Sequence, residues 1–237
     1  MRPKNQYSRK TPKEASISLA GLVILAGMIN LSLANGRLYR ADGLVFDCAA
    51  HCWVTGGGAS GAPISVTAAV TWLLREGGGR RLPVSIIGPR EADEHVLSMA
   101  EEVAATLAGI GFPLICGGRG GAMEAASRGC ARAGGIMLGI LPSDDWREAN
   151  PHVTIPIATG IGEARNAIIA SASFAIVAVG GAAEPVSYGT ISEMAFGLRL
   201  GRLVLGMPEA PDLPGMRRCQ TAAEATEKVA LRYLSLD

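Results

Sequence analysis

The sequence predicts an α/β protein: a Rossmann-like parallel sheet flanked by helices, preceded by an N-terminal, hairpin-containing extension. Three observations predict it. From about Leu82 onward, short apolar runs alternate with Ala-rich amphipathic runs, the order that crossover helices between parallel strands require. Glycine supplies 31 of 237 residues and aromatic residues only 5%, which suits tight turns between small-residue elements better than a β-sandwich. Glycine clusters also fall just after the apolar runs, where the strands of such a sheet end and ligands bind.

Residues 1–35 leave several readings open. Arg2, Lys4, Arg9, Lys10 and Lys13 make the first part basic, and an apolar stretch runs from Ile17 to Ala34. That order is the pattern of a secretion signal or membrane anchor. Against it, Ser18, Asn30 and Ser32 dilute the run, Gly21 and Gly27 weaken it as a helix, and no small-x-small cleavage site follows. A buried element, or a start placed too far upstream, fits as well. The character of the domain that follows points to the cytoplasm, with no membrane expected.

Residues 36–81 form the extension. Gly36–Arg40 and Leu44–Phe46 are short alternating runs around Ala41-Asp42-Gly43, a hairpin signal. Gly56 to Gly61 reads as a flexible loop and not a phosphate loop, because no apolar strand leads straight into it. Ser65 to Glu76 places Val66, Ala69, Val70, Leu73 and Leu74 on one helical face, with Ser65 as N-cap.

Residues 82–237 form the main domain. Strands are expected at 83–87, 113–116, 136–141, 154–158, 174–179 and 203–206. Helices are expected at 93–110, 122–133, 162–173, 191–200 and 222–234.

Charge and cysteine content exclude several functions. With 22 Lys+Arg against 21 Asp+Glu, no global field recruits nucleic acid or an anionic membrane, and few aromatics are present to stack on single-stranded bases. An anion must be held by a local site. Cys48, Cys52, Cys116, Cys130 and Cys219 are odd in number and scattered, as expected of reduced thiols. Cys48-Ala-Ala-His51-Cys52 offers three soft ligands, yet no second pair follows at a zinc-like spacing. No metal site is expected.

Three loops then carry the chemistry. Gly88-Pro89-Arg90 follows the first main strand; Gly88 permits close approach of a ligand, and Arg90 faces either solvent or a phosphate. Gly117-Gly118-Arg119-Gly120-Gly121 follows the second and opens a helix that begins with Met123 and Glu124 in its first turn. Such a turn aims amide groups inward at a positive helix end, a ready anion site. It lacks the spacing of the dinucleotide fingerprint and the Lys-Ser/Thr of a triphosphate loop. The third combines Gly180-Gly181 with Gly189-Thr190-Ile191-Ser192-Glu193. There Thr190 is expected to cap the helix, and Glu193 is either a capping-type carboxylate or a catalytic one. Arg165, early in its helix, is placed against the helix dipole, which implies pairing with Glu163 or with a ligand phosphate.

Together, Cys116 to Ala126 (CGGRGGAMEAA), Gly139 to Pro142 (GILP), Glu163 to Asn166 (EARN) and Gly189 to Glu193 (GTISE) resemble the LOG ("lonely guy") family of the LOG/DprA-like superfamily. The resemblance covers roughly residues 83–207. It implies cleavage of the N-glycosidic bond of a nucleoside 5′-monophosphate, with Arg165 and Glu193 as the catalytic pair and Gly120, Gly121, Gly189 and Thr190 around the phosphate. It also implies a homodimer or homotetramer. The family's former label, lysine decarboxylase, has no support, since Lys228 is the only lysine of this domain.

The sequence departs from the enzyme pattern at three places. Val179 stands where a proline precedes the glycine pair, Asn166 follows Arg165 in place of lysine, and Ala182 to Tyr188 separates Gly181 from Gly189, where the enzymes have a single residue. Asn166 and the wording around Gly120 resemble instead a bacterial branch similar to molybdenum-cofactor carrier proteins, which hold a phosphorylated pterin without turning it over. The readings are therefore a phosphoribohydrolase, a non-catalytic carrier with molybdenum cofactor as cargo, and a nucleotide-sensing partner protein. None requires a resident cofactor, and all require a small phosphorylated ligand.

Overall fold

The computed structural model describes residues 30–57, 61–183 and 185–237. Two sheets organise them. The first is antiparallel, with β1 (Leu31–Ala34), β2 (Arg37–Arg40), β3 (Leu44–Asp47), β4 (Cys52–Thr55) and β5 (Ala62–Ile64) in the order β4-β3-β2-β1-β5. Helix α1 (Val66–Arg75) follows, with Ser65 accepting the Ala68 amide at its start. The hairpin around Ala41-Asp42-Gly43 forms, with Tyr39 opposite Val45. The end of the apolar stretch is not helical: Leu31 to Ala34 pairs with both β2 and β5, because Asn35 and Gly36 take left-handed conformations that turn the chain back on itself. The rest of that stretch lies outside the described residues. Among the described residues, no helix is long and apolar enough to cross a membrane.

The second sheet is parallel and seven-stranded. In chain order its elements are β6 (Val84–Ile87), α2 (Glu94–Ile110), β7 (Leu114–Cys116), α3 (Ala122–Arg132), β8 (Met137–Leu141), β9 (Ile155–Ala158), α4 (Asn166–Ala172), β10 (Ala175–Ala178), α5 (Tyr188–Arg199), β11 (Leu203–Gly206), β12 (Arg217–Arg218) and α6 (Ala222–Tyr233). The strand order is β12-β11-β10-β6-β7-β8-β9. All four residues of β6, β10 and β11 are buried, as expected of central parallel strands covered on both faces. Asp93 accepts the Val96 amide at the start of α2 (2.9 Å), and Gly111, left-handed, ends that helix.

The sequence reading did not anticipate β12 in the main sheet or β1, β4 and β5 in the first, and two helices also differ from it. The helix expected over 162–173 divides into a 3-10 turn at Gly162–Arg165 and α4 proper. The helix expected from Ile191 begins at Tyr188, and Ser187 caps it instead of Thr190: the Ser187 hydroxyl accepts the Thr190 amide at 3.3 Å. Serine two residues after a proline is as good a cap as threonine after glycine, and local sequence alone does not choose between them.

Tyr233 joins the two sheets. Fully buried, its ring lies 4.6 to 6.4 Å from the rings of Phe46 and His51 in the first sheet's hairpin and of Phe112 and Phe174 in the main domain. Its hydroxyl donates to the Arg80 carbonyl at 2.9 Å, and Trp53 donates its indole N–H to the Leu234 carbonyl at 2.6 Å. Buried aromatic contacts of this kind carry both area and edge-to-face attraction. Tyr233→Ala is expected to cost about 3–5 kcal/mol, read as a lower denaturation midpoint in urea.

Candidate functional site

The chain adds β7, β8 and β9 on one side of β6 and then returns to build β10, β11 and β12 on the other. Beyond the carboxyl ends of β6 and β10 the strand order reverses, and a crevice opens at such a point. Here a cleft of about 120 Å³ lies over the ends of β6 and β7 and against the start of α5.

Two glycines make close approaches here, Gly117 in the cleft lining and Gly121 behind it. A Cβ at Gly117 would stand 2.7 Å from both Arg165 Nη2 and Met123 Sδ. At Gly121, left-handed with φ +68°, a Cβ would collide with the Arg90 carbonyl oxygen. Gly121 is also the N-cap of α3 and supplies no side-chain cap. Of the first-turn amides, that of Ala122 is taken by the Pro89 carbonyl at 3.1 Å. The positive end of α3 is thus bound to the Gly88-Pro89-Arg90 turn, has no side-chain cap, and carries Glu124 in its first turn.

Arg165 occupies the centre. It sits at the junction of the 3-10 turn and α4 and is only 5% exposed. Its Nη1 donates to Asn166 Oδ1 and stands 3.5 Å from Glu193 Oε1, while Nη2 is 3.8 Å from Glu163 Oε2. Its Nε is buried without a partner. Asn166 in turn donates to the Ser192 hydroxyl at 3.0 Å, and Ser192 donates to the Gly189 carbonyl at 2.7 Å. The start of α4 is thereby tied to the start of α5.

Glu193 is 6% exposed. Burial pushes its carboxyl up to about 8; Arg165 opposes the rise and Glu163 adds to it. At neutral pH Glu193 is therefore mostly uncharged, and the carboxylate beside the buried Arg165 cation is the exposed Glu163 at 3.8 Å. A buried cation needs a partner.

Of the residues singled out in the sequence, Gly88, Arg90, Gly117, Arg119, Met123, Arg165, Asn166, Gly189, Thr190 and Glu193 line one cleft. Gly118, Gly120, Gly121, Gly180 and Gly181 do not line it. Gly118 turns the chain beneath the loop, its carbonyl accepting the Asn150 amide at 2.8 Å. Gly120 lines a neighbouring open depression with Glu124 and Glu148, and Arg90 and Arg119 border both spaces. Gly180 packs on Val96, and the Gly181 carbonyl accepts the Ser187 amide at 3.1 Å. Ile87, Glu163 and Ser187 complete the lining. Ser187 went unrecognised because it lies inside the insertion; its position two residues after Pro185 was the available signal.

The segment after Asp144 forms a 3-10 turn at Trp146–Glu148, where Glu148 pairs with Arg119 at 2.6 Å. Cys48 donates its thiol to the Gly77 carbonyl at 3.2 Å, and Cys52 is exposed.

Comparison with known proteins places this geometry in context. Residues 81–232 match the model of the SLOG cluster4 family, in accord with the resemblance carried by the glycine motifs. An uncharacterised protein of Archaeoglobus fulgidus is 39% identical over 144 residues, which span 61% of this chain and 91% of that one. Two solved structures share the fold with a TM-score of 0.58. One is the molybdenum cofactor binding protein of Rippkaea orientalis, 29% identical and covering 63% of this chain and 96% of its own. The other is the molybdenum cofactor carrier protein of Chlamydomonas reinhardtii, 32% identical and covering 65% of this chain and 98% of its own.

The state of Glu193 gives a stability test. Its folded-state value lies above the ordinary 4.5, so the stability contributed by the neutral carboxyl is complete below pH 4.5 and lost as pH rises through about 8. Glu193→Gln keeps a neutral group of the same shape. Thermal unfolding from about pH 5 to about pH 9 is expected to show the variant gaining on the wild type as pH rises, by an amount on the order of a few kcal/mol. A constant difference across that range contradicts a neutral Glu193.

Proposed function

The chain belongs to the SLOG cluster4 family, and from that premise we propose that it is a non-catalytic carrier whose cleft holds a phosphorylated heterocycle, with molybdenum cofactor as the cargo. The observation that carries the reading is the buried Arg165, with Nε unpartnered beside a largely neutral Glu193. Such a site favours an anionic phosphate oxygen through a charge-assisted bond. Gly117 leaves room at the guanidinium, and Thr190 and Gly189, in the first turn of α5, supply a second positive helix end. The likeness to two molybdenum-cofactor proteins, covering nearly all of each, supports the choice of cargo. The cofactor enters as cargo and is released unchanged.

A second reading has one specific observation behind it. Arg165 and Glu193 lie side by side at 3.5 Å, as expected of a phosphoribohydrolase pair. A glycosidic transition state gathers positive charge on the sugar, and a carboxylate stabilises it. A carboxyl pushed up to about 8 is a poor stabiliser of that charge at neutral pH. Holding is favoured over cleaving.

Full-length protein incubated anaerobically with molybdenum cofactor and then desalted is expected to retain about one molybdenum and one pterin per chain. Arg165→Ala is expected to weaken retention about 10- to 100-fold, the effect of losing hydrogen bonds to a charged group worth about 1.5–3 kcal/mol. With AMP, GMP, CMP, UMP and isopentenyladenosine monophosphate, no free base is expected. Base release that disappears in Glu193→Ala would overturn the carrier reading in favour of the hydrolase.

A further inference from the structure

The N-terminal extension lies outside residues 81–232, the part of the chain that matches the family model, and it has a cavity of its own. Strands β1 and β2 pair at four positions, and so do β3 and β4. Strands β2 and β3 pair at one, Tyr39 with Val45. Carried further, that register would set Leu38 against Phe46 and Arg37 against Asp47; neither pairing is present among the described residues. A cavity of about 410 Å³ opens at this end of the hairpin. Arg37 and Leu38 of β2, Phe46 and Asp47 of β3, the following Cys48, and Trp72 of α1 line it. Its size falls within the range of small-molecule sites, roughly 300–1,000 Å³.

The lining has two characters. Side chains alternate along a strand: Leu38 and Phe46 turn toward the main domain and belong to its core, whereas Arg37 and Asp47 stand on the other face with Tyr39 and Val45. The cavity touches both sets, and Trp72 completes its apolar side. Arg37 and Asp47 are opposite in sign and in register, yet no ion pair joins them among the described residues; nearby, Arg40 and Asp42 do pair, at 2.6 Å. Asp47 Oδ1 accepts the Ala49 and Ala50 amides at 2.8 and 2.9 Å, which fixes the carboxylate at the rim, and Oδ2 has no hydrogen bond among the described residues. Cys48 gives its thiol to the Gly77 carbonyl and so serves as wall.

We propose that this cavity binds a free α-amino acid with an apolar side chain. A lone anion would meet the Asp47 carboxylate and a lone cation the Arg37 guanidinium, whereas a zwitterion satisfies both. Its carboxylate pairs with Arg37 through the two parallel N–H bonds that a guanidinium offers. Its ammonium donates to Asp47 Oδ2, and its side chain enters between Leu38, Phe46 and Trp72. The site stands apart from the cargo cleft. The extension is attached around Tyr233 with Phe112 and Phe174, which come just before β7 and β10, at the amino ends of the parallel strands; the cleft lies over the carboxyl ends. Phe46 lines the cavity and also stacks on Tyr233, so an occupied cavity holds the extension more firmly against the main domain.

Isothermal titration calorimetry of the full chain tests this with L-leucine, L-methionine, L-phenylalanine and L-tryptophan, each at about 5 mM, enough to fill a site of millimolar or tighter affinity. At least one is expected to bind once per chain and to raise the thermal unfolding midpoint. Analogues of the best ligand that lack the ammonium or the carboxylate, 3-phenylpropionate and phenethylamine in the case of phenylalanine, are expected to bind at least about 10-fold more weakly. Arg37→Ala and Asp47→Asn are expected to weaken binding about 10- to 100-fold. Asp47→Asn keeps an oxygen for the Ala49 and Ala50 amides, so the turn is retained, and circular dichroism checks the fold of both variants. Three results each overturn the proposal: none of the four amino acids binds, affinity is unchanged in either folded variant, or an analogue lacking one charged group binds as tightly as the amino acid. Arg37→Ala is expected to retain molybdenum cofactor as the wild type does, so the carrier reading and this one stand or fall separately.

Discussion

One buried cation organises this molecule's functional end. Arg165 is drawn out of water at the junction of a 3-10 turn and a short helix, and nearly everything around it is arranged by its charge and bulk. Gly117 has no side chain because the guanidinium occupies the space a Cβ would need. Asn166, its neighbour in sequence, accepts from it and then passes the connection through Ser192 to the Gly189 carbonyl. Glu193, the obvious counter-charge, is itself so deeply buried that desolvation outweighs the attraction and holds the carboxyl toward its neutral form. The result is a cleft with surplus positive charge, flanked by the starts of two helices.

The segment before α5 bears on how the cleft is built. The residues from Ala182 to Tyr188 do not simply lengthen a phosphate loop. Their last two members become the N-cap and first residue of α5, and the Gly181 carbonyl closes the remainder by accepting the Ser187 amide. The insertion thus keeps the helix start, and with it Gly189, Thr190 and Glu193, on the cleft wall. It changes what stands at the mouth: Ser187 lines the cleft, and Gly180 and Gly181 do not. Position is preserved while the charge state of Glu193 is set by burial.

Away from the cleft, two interactions of different kinds hold the layers together. The antiparallel sheet is attached through an aromatic cluster around Tyr233, contributed by the last helix of the chain, so the N-terminal extension depends on the C-terminal end of the main domain. The parallel sheet packs α2, α3 and α6 on one face and α4 and α5 on the other.

The amino-acid sequence by itself determined the fold class, the succession of the parallel strands and helices along the chain except β12, the hairpin at Ala41-Asp42-Gly43 and the ten candidate residues that share one cleft. Those features are local: alternation of apolar runs, turn chemistry and glycine placed after a strand are written within a few residues of where they act. What only the tertiary structure decided is non-local. Leu31 to Ala34 is a strand because β2 and β5 lie on either side of it, although its sequence continues an apolar run. Ser187 won over Thr190 as the cap through packing around the insertion. Gly118, Gly121, Gly180 and Gly181 proved to shape the chain and not to line the cleft, since glycine serves a tight backbone and an open ligand site equally well. The charge of Glu193 was the least legible of all. Its value is set by how much water the rest of the fold removes from it, and no spacing of residues along a chain records that.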